Sequence, residues 1–157
     1  MIVRELTPAD APAIASLEAA VFPEDPWTSA MVAEELAAPG RCYLGIEEEE
    51  TDSDEGAAAL IAYGGITLFQ DSDLMTIGVL PDHRGKGLGR RLLQELLARA
   101  ADAKVARMFL EVRASNSAAI ALYASEGFAE LGRVRRYYRN PVEDAVTMRR
   151  ILRPAAP

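Results

Sequence analysis

The stretch HRGKGLGRRLL, residues 83–93, places three glycines within five positions, immediately before an apolar helical repeat. The preceding segment DLMTIGVL, residues 73–80, is apolar and β-branched and is followed by a proline, which predicts a strand. Residues 87–104 carry leucines at helical spacing and predict an amphipathic helix. A strand joined to a helix by a glycine loop is typical of α/β folds. The loop also leaves bare backbone N–H groups at the helix start.

Further strands and helices are predicted on both sides of this unit. Two helices are predicted near the start, one within 6–22 and one that begins near Thr28 and ends by Pro39. The other segments predict an antiparallel strand pair at 41–47 and 58–71, a buried strand at 106–114, a helix at 115–128, and two last strands at 129–140 and 145–152. The order β-α-α-β-β-β-α-β-α-β-β predicts an α/β chain with a mixed sheet.

Length and composition bound the class of protein. A chain of 157 residues suffices for one domain with a core, so residues 1–157 are predicted to form a single domain. Apolar runs are shorter than the roughly 20 residues that span a bilayer, and Arg4 and Glu5 lie where a signal peptide would be apolar. Cys42 is the only cysteine, which excludes an intrachain disulfide and a multi-cysteine metal site. We expect a cytoplasmic protein without a metal.

The net charge of −7 comes from one segment. EEEETDSDE, residues 47–55, holds seven acidic residues, and the other 17 balance the 17 lysines and arginines. A block of like charges repels itself and cannot pack, so the segment predicts a solvated loop between two strands. No face of the balanced remainder is evidently basic, which argues against direct nucleic-acid binding. Neither feature predicts a membrane partner.

Three interpretations compete for the glycine-rich turn. A nucleotide P-loop requires Gly-Lys followed by Ser or Thr, which the chain lacks. The dinucleotide fingerprint G-x-G-x-x-G fits poorly, since its third glycine would fall on Arg90 or Leu92. A plain strand-to-helix turn leaves the flanking cations Arg84, Lys86, Arg90 and Arg91 unexplained. Aligned N–H groups, the helix dipole and these cations favour an anion, best a pyrophosphate.

Arg84, Gly87 and Gly89 form the pattern R-x-x-G-x-G between a strand and an amphipathic helix. This pattern resembles the acetyl-CoA signature of the GNAT N-acetyltransferases. The segment LEVRASNSAAIALYASEGF, residues 110–128, resembles the RimI branch of that family, the ribosomal-protein alanine N-acetyltransferases, and PWT and YYRNPVEDAVTM are similar to the same branch. The resemblance implies the GNAT fold, in which a central mixed β-sheet is splayed mid-sheet, here near Gly78, with helices on both faces.

The resemblance also implies an activity. Enzymes of this branch transfer an acetyl group from acetyl-CoA to a protein N-terminal α-amine, here the N-terminal alanine of a small-subunit ribosomal protein. The amine attacks directly in a ternary complex, so the partner is a protein or peptide N-terminus. Two alternatives stay open. One is acetylation of other protein N-termini or of a small amine, and the other is a non-catalytic acetyl-CoA-binding module.

The cofactor site follows from the same resemblance. The family binds the coenzyme A pyrophosphate on the glycine loop, pairs the pantetheine arm with the strand around Gly78, and uses a backbone N–H there as oxyanion donor. Asn116 contacts the cofactor in the family, and it can also simply cap the following helix. The predicted cofactor-binding residues are Ile77, Gly78, Val79, Arg84, Gly85, Lys86, Gly87, Leu88, Gly89, Arg90 and Asn116.

Two residues are predicted to carry the chemistry. Glu111 is a carboxylate in an otherwise apolar strand, which is costly unless it is paired or functional. It matches the proton acceptor of RimI-like enzymes, and its alternative role is a salt bridge with Arg113. Tyr123 matches the tyrosine that protonates the leaving thiolate in the family. From periodicity alone it would be a core aromatic residue with a hydrated hydroxyl.

Three aromatic residues are predicted at the acceptor groove. Trp27 lies in the PWT match and either shapes the groove or packs beneath the first two helices, with equal weight for both interpretations. Tyr137 and Tyr138 alternate along a strand, so only one of them can face the groove. A nucleophile–base pair of Cys42 and His83 is disfavoured, because Cys42 lies in a predicted strand and no third partner is evident.

Overall fold

The fold is a sheet with helices packed against it. The structure, a computed structural model, describes residues 1–49 and 58–153. The strands in this part of the chain are β1 (Ile2–Glu5), β2 (Arg41–Glu49), β3 (Ala58–Thr67), β4 (Asp71–Val79), β5 (Arg107–Arg113), β6 (Ala129–Tyr138) and β7 (Glu143–Ile151). The helices are α1 (Ala11–Val21), α2 (Ser29–Ala37), α3 (Leu88–Asp102) and α4 (Ser117–Ser125).

The observed order of strands and helices is the predicted one, with boundaries that differ by a few residues. Two short 3₁₀ turns, Pro8–Asp10 before α1 and Pro81–His83 before the glycine loop, are additions to it. Thr28 caps α2 as expected, since its Oγ1 accepts a hydrogen bond from the N–H of Met31 at 3.2 Å. None of the helices described is long and apolar enough to cross a membrane.

The acidic segment departs in part from its prediction as a loop. Its first three residues, 47–49, belong to β2, and residues 50–55 lie outside the described part of the chain. Glu47 Oε1 accepts from Nε of Arg4 at 2.5 Å, and Glu48 Oε2 lies 2.6 Å from Nε2 of His83. The strand extends into the acidic block because these carboxylates find partners on neighbouring segments.

The sheet is splayed between β4 and β5. The strand order is β1-β2-β3-β4-β5-β7-β6, and β4 and β5 are its parallel neighbours. These two strands pair only through 71–73 and 107–109 and then part. The predicted mid-sheet splay is therefore confirmed, and it begins several residues before Gly78.

A β-bulge lies where β4 leaves β5. Gly65 of β3 pairs with Thr76, and the next residue, Ile66, pairs with Leu74, so Met75 has no partner in β3. A bulge bends the strand that carries it and increases the local twist. In this position it turns the end of β4 away from β5 and contributes to the gap between them.

Two hydrophobic clusters lie on opposite faces of the sheet. α3 and α4 pack on one face, around Leu96 and Ala62. α1 and α2 pack on the other, around Ile14, Val32 and Tyr63. Because neighbouring residues in a strand point to opposite faces, the consecutive residues Ala62 and Tyr63 mark the two sides. The prediction of helices on both faces is confirmed.

Among the described residues, α1 and α2 pack mainly on the first half of the sheet. α1 packs on β3 and β4, and α2 packs on β2. On β5, Met108 and Leu110 are buried in the cluster of α3 and α4, whereas Glu111 is exposed on the other side. Phe109 and Thr147 share that side by register. We call the side of β5 and β7 that carries Phe109, Glu111 and Thr147 the open face.

Candidate active site

The glycine loop leads from β4 into α3 with its backbone uncrowded. Gly85 and Gly87 have φ values of 78° and 79°, in the left-handed region that favours glycine. A Cβ at either position would meet no protein atom within 4 Å. Gly87 is the N-cap of α3, and the first N–H groups of a helix have no intrahelical acceptor. The loop therefore offers backbone donors to an anion, and it fits a pyrophosphate.

Two other residues of the loop contribute through the backbone. The Leu88 side chain is buried in the core, so only its main chain can face a ligand. A Cβ on Gly89 would lie 3.7 Å from Leu122 and 3.9 Å from Ile77, which is ordinary van der Waals contact. The first turn of α3 thus lies close to β4 and α4 while its N–H groups stay free.

The predicted cations around the loop differ in what they already bind. Nε of Arg84 donates to the carbonyl of Val79 at 3.1 Å. Arg90 forms an ion pair at 2.5 Å with Glu126, the residue after α4, so its guanidinium is already neutralised. Lys86 is exposed and forms no ion pair with a described residue. The flanking cations therefore do not all offer a free charge to an anion. Arg90 can contribute its backbone N–H, but its guanidinium is already paired.

The end of β4 has backbone groups that face the gap. Gly78 pairs with Tyr63 of β3, and the N–H of Leu80 also donates to β3. Since consecutive residues of an antiparallel ladder alternate in direction, the N–H and C=O groups of Ile77 and Val79 point away from β3. The bond from Arg84 to the Val79 carbonyl agrees with this direction. An extended ligand could pair with these groups.

Gly78 has a different surrounding from its two neighbours. A Cβ at this position would lie 3.3 Å from Cγ1 of Val21 and 3.4 Å from Cε2 of Phe22. The missing side chain therefore makes room for the end of α1. Ile77 and Val79, on either side of Gly78, are the residues whose backbone faces the gap.

Glu111 lies on the open face without an ion pair. It is level with Thr147 of β7, and it forms no salt bridge with a described residue. Partial burial, and then the negative charge of Asp73, raise the pKa of its carboxyl. Arg113, the alternative partner, pairs instead with Glu143 at 3.3 Å and donates to two carbonyls of the β6–β7 turn. The geometry disfavours the salt-bridge alternative for Glu111.

Tyr123 is buried in α4 against Phe128, with the ring centroids 5.9 Å apart in an edge-to-face arrangement. Burial raises the pKa of its hydroxyl to about 12. The hydroxyl has no hydrogen-bond partner among the described residues. The hydroxyl oxygen is also not fully buried. Among the described residues, the polar side-chain atoms that are both buried and without a partner belong to Glu18 and His83. The Tyr123 hydroxyl is therefore protonated near neutral pH and free to donate.

Tyr138 stacks on Arg113. Its ring lies 4.5 Å from the guanidinium carbon of Arg113. Burial raises the pKa of Tyr138 to about 12, and Tyr137, Glu111 and Tyr123 add to the increase. Arg113 follows Glu111 by two residues on the same face of β5, so the ring stacked on Arg113 places Tyr138 on the open face, beside the predicted base. Tyr137 packs edge-to-face on Tyr138 at 5.0 Å and is itself exposed. Of the two tyrosines, Tyr138 faces the predicted site.

Asn116 and Trp27 have contacts of their own. Asn116 Oδ1 accepts from the N–H of Ala119 at 3.2 Å, which makes Asn116 the N-cap of α4 and leaves its amide NH₂ free. Trp27 packs against the cluster of α1 and α2 and also lines a surface hollow beside Met31 and Glu34 of α2. The packing interpretation of Trp27 is thus supported.

Two contributors near the site escaped the sequence analysis. Glu143 holds Arg113 and accepts from the N–H of Ser115 at 2.6 Å, so it fixes the β6–β7 turn against the start of α4. Glu18 is buried in α1 with one carboxyl oxygen unpartnered, beside the hydroxyl of Tyr63. A charge in a turn and a charge on an amphipathic helix both suggest surface positions. No local signal distinguishes them.

The match to known proteins agrees with this site. The sequence model of the acetyltransferase (GNAT) family matches residues 11–128. The chain belongs to the GNAT acetyltransferase family, whose members take the acetyl group from acetyl-CoA. Solved structures that share the fold hold acetyl-CoA. The described residues contain no cluster of three or more metal-binding side chains.

Several of the similar proteins are named as N-alpha- or ribosomal-protein-alanine N-acetyltransferases. The N-alpha-acetyltransferase RimI of Mycobacterium tuberculosis is 44% identical over 151 residues, which are 92% of this chain and 89% of that protein. The [ribosomal protein bS18]-alanine N-acetyltransferase of Escherichia coli is 44% identical over 95 residues, 59% of this chain and 64% of that protein. The crystal structure of the ribosomal-protein-S18-alanine N-acetyltransferase from Escherichia coli matches with a TM-score of 0.83 and 30% identity, covering 99% of this chain and 96% of that one.

A Gly87→Ala variant tests the glycine loop as an anion site. Its Cβ would point into open space at a left-handed φ, so we expect the fold to persist and acetyl-CoA to bind at least about tenfold more weakly. Calorimetric titration with acetyl-CoA measures the affinity. Gly40→Ala is the control, since Gly40 also has a left-handed φ but lies in the turn before β2. Equal affinities for both variants would contradict the assignment.

Proposed function

We propose that this chain transfers the acetyl group of acetyl-CoA to the N-terminal α-amine of a protein, with the N-terminal alanine of a small-subunit ribosomal protein as acceptor. One observation carries the proposal. Glu111 on β5 and Tyr123 on α4 present a carboxylate and a protonated hydroxyl, neither of which has a partner among the described residues. The activities of the M. tuberculosis and E. coli relatives support the acceptor. Such an acceptor is made in the cytoplasm, which is our proposed location.

In this proposal the cofactor lies along the gap. The backbone of the segment 85–90 holds the pyrophosphate, with Lys86 and Arg84 at its rim. The outward-facing groups of Ile77 and Val79 pair with the pantetheine arm, and an N–H from this strand stabilises the oxyanion. The free amide of Asn116 adds a contact. Acetyl-CoA then presents its thioester carbonyl beside Glu111.

Glu111 serves as the base. An α-amine has a pKa of about 7.7–8.0, so much of it is protonated near neutral pH and must lose a proton before it attacks. Glu111 accepts this proton directly or through a water molecule. Its raised pKa makes it a stronger base than an ordinary carboxylate, since partial burial and Asp73 both disfavour its negative charge.

Tyr123 serves as the acid. When the tetrahedral intermediate breaks down, the carbon–sulfur bond cleaves and the thiolate needs a proton. The Tyr123 hydroxyl donates it and regains a proton from solvent. Burial keeps this hydroxyl protonated, since it raises the pKa of Tyr123. No residue needs to carry the acetyl group, because the amine attacks the thioester in a ternary complex.

The acceptor reaches Glu111 over the open face. Tyr138, half-buried beside Arg113, forms one wall near the amine, and the exposed Tyr137 can contact residues further along the acceptor chain. Trp27, in the segment between α1 and α2, completes the proposed acceptor-binding set. Acetylation of other N-termini or of a small amine keeps the same chemistry. A pure acetyl-CoA-binding module needs neither Glu111 nor Tyr123, so we place it last.

A peptide panel tests the function. Purified protein with acetyl-CoA is offered peptides that begin with Ala, Ser, Met or Gly, together with copies blocked at the α-amine. We expect an acetyl group on the N-terminal nitrogen of alanine-initiated peptides, located by tandem mass spectrometry. Acetylation only of small amines or of lysine side chains would contradict the proposed acceptor, and no transfer at all would favour the binding module.

A Glu111→Gln variant tests the base. The amide keeps the shape but cannot take a proton, so we expect kcat near pH 7 to fall by about 10²-fold or more. The loss should shrink as pH rises, because the amine then arrives neutral. Turnover is measured from pH 6 to 10, with Glu130→Gln on the edge strand β6 as the matched control. A Glu111→Gln variant as active as the control at every pH would remove Glu111 from the mechanism.

A Tyr123→Phe variant tests the acid. We expect kcat to fall by about 10²–10⁴-fold while acetyl-CoA affinity changes little, because the hydroxyl acts only when the thiolate leaves. Steady-state kinetics and calorimetry measure the two effects. Tyr43→Phe is the control, since it removes a buried hydroxyl that bonds to Glu35 at 3.0 Å. Turnover at the control level would leave Tyr123 as a core aromatic residue only.

A further inference from the structure

Asp73 lies at the mouth of the gap, on the same face as Glu111. It is level with Phe109 in the last residue pair that joins β4 to β5. Glu111 follows two residues later on β5, so both side chains point to the open face. Neighbouring strands are about 4.8 Å apart and residues advance about 3.3 Å along a strand, which places the two backbones about 8 Å apart.

The Asp73 carboxylate is unpaired. It forms no ion pair or side-chain hydrogen bond with a described residue, whereas Asp71, on the same strand and face, accepts two bonds from Arg107 at 2.9 and 3.1 Å. The N–H of Asp73 donates to Oγ1 of Thr67 at 2.9 Å, which holds the residue in place. Its backbone is therefore held in place, and its negative charge is not neutralised within the described part of the chain.

Of the other charged groups on this face, two arginines are paired, and Arg149 has the same offset from Glu111 by register as Asp73. Arg113 on β5 binds Glu143 and stacks on Tyr138 of β6. Arg107 binds Asp71, and Tyr123 of α4 is neutral. On β7, Arg149 lies level with Phe109, one strand beyond β5 from Asp73. Asp73 acts on Glu111: the pKa of the Glu111 carboxyl is raised first by burial and second by the negative charge of Asp73.

We propose that Asp73 is a specificity-determining residue, whose unpaired negative charge draws a cationic acceptor terminus to Glu111. The inference rests on the proposed function. The α-amine arrives largely as an ammonium ion near neutral pH, and two carboxylates attract it more strongly than one. A basic side chain in the first residues of the acceptor adds to this attraction. Asp73 also disfavours the charged form of Glu111, which makes Glu111 a better acceptor for the proton.

The test compares Asp73→Asn with Asp71→Asn. Both variants remove one negative charge from the same face of β4, but position 71 lies about 14 Å from Glu111 along the strands, beyond the Debye length of about 10 Å at 0.1 M salt. The Asp73 side chain holds no bond that the fold needs, so the asparagine variant keeps the backbone bond to Thr67. Asp73→Ser provides a second neutral variant, and melting temperatures confirm folding.

Two measurements detect the effect of the Asp73 charge. Kinetics with alanine-initiated peptides that carry Lys or Glu at the second position give the preference for the basic acceptor. We expect the wild type to prefer Lys, and Asp73→Asn to reduce this preference by about two- to threefold at low salt and by less in 0.5 M salt. The carbon-13 carboxyl resonance of Glu111 should titrate about 0.4 pH units lower in Asp73→Asn at water-like dielectric and low salt, and about 0.2 pH units lower in Asp71→Asn.

Each outcome decides the proposal. An Asp73→Asn variant with the peptide preference of Asp71→Asn overturns it, whether or not the Glu111 resonance moves. The proposal is supported if Asp73→Asn reduces the preference for Lys and if 0.5 M salt removes this preference in both the wild type and the variant. A wild-type protein that acetylates none of these peptides refutes the proposed function instead, and the two failures are therefore distinguishable.

Discussion

The parting of β4 and β5 is the constraint on which the site depends. Backbone N–H and C=O groups inside a sheet need partners, yet those of Ile77 and Val79 face a gap where a neighbouring strand would otherwise pair with them. The bulge at Met75 turns β4 away at this point. Two elements then converge on the gap. The helix start of α3 lies at the end of β4, and Glu111 lies on β5, across the opening.

Local patterns predicted most of this fold. Leucines at helical spacing identified α3, alternation and β-branching identified the strands, and each signal needs only a few neighbouring residues. The glycines at 85 and 87 also predicted a turn, and both take the left-handed φ that the loop requires. The splay was different. It was expected only from the resemblance to a family, because no residue pattern in β4 or β5 predicts which strands are neighbours in the sheet.

Pairings over long sequence separations could not be predicted. The acidic segment was expected to be a loop because like charges repel, but Arg4 and His83 neutralise or bind its first carboxylates from distant segments. Arg113 lies two residues from Glu111 and appeared to be its natural partner. In the fold it turns to Glu143, 30 residues away. A charged side chain can reach several partners, and tertiary packing decides which of them it contacts. The sequence therefore predicted which residues form the candidate site, but not the contacts between them.

The two faces of the gap have opposite electrostatic character. On the side of α3, free N–H groups, the positive end of the helix dipole and Lys86 favour an anion. On the open face, Glu111 and Asp73 present negative charge. In the proposed mechanism, an anionic cofactor and a cationic acceptor approach the same gap from opposite sides, each attracted by the charge on its own side. Such a division needs no residue that binds both substrates and no covalent relay between them. It also requires the sheet to be open, because a continuous ladder between β4 and β5 would separate the amine from the thioester.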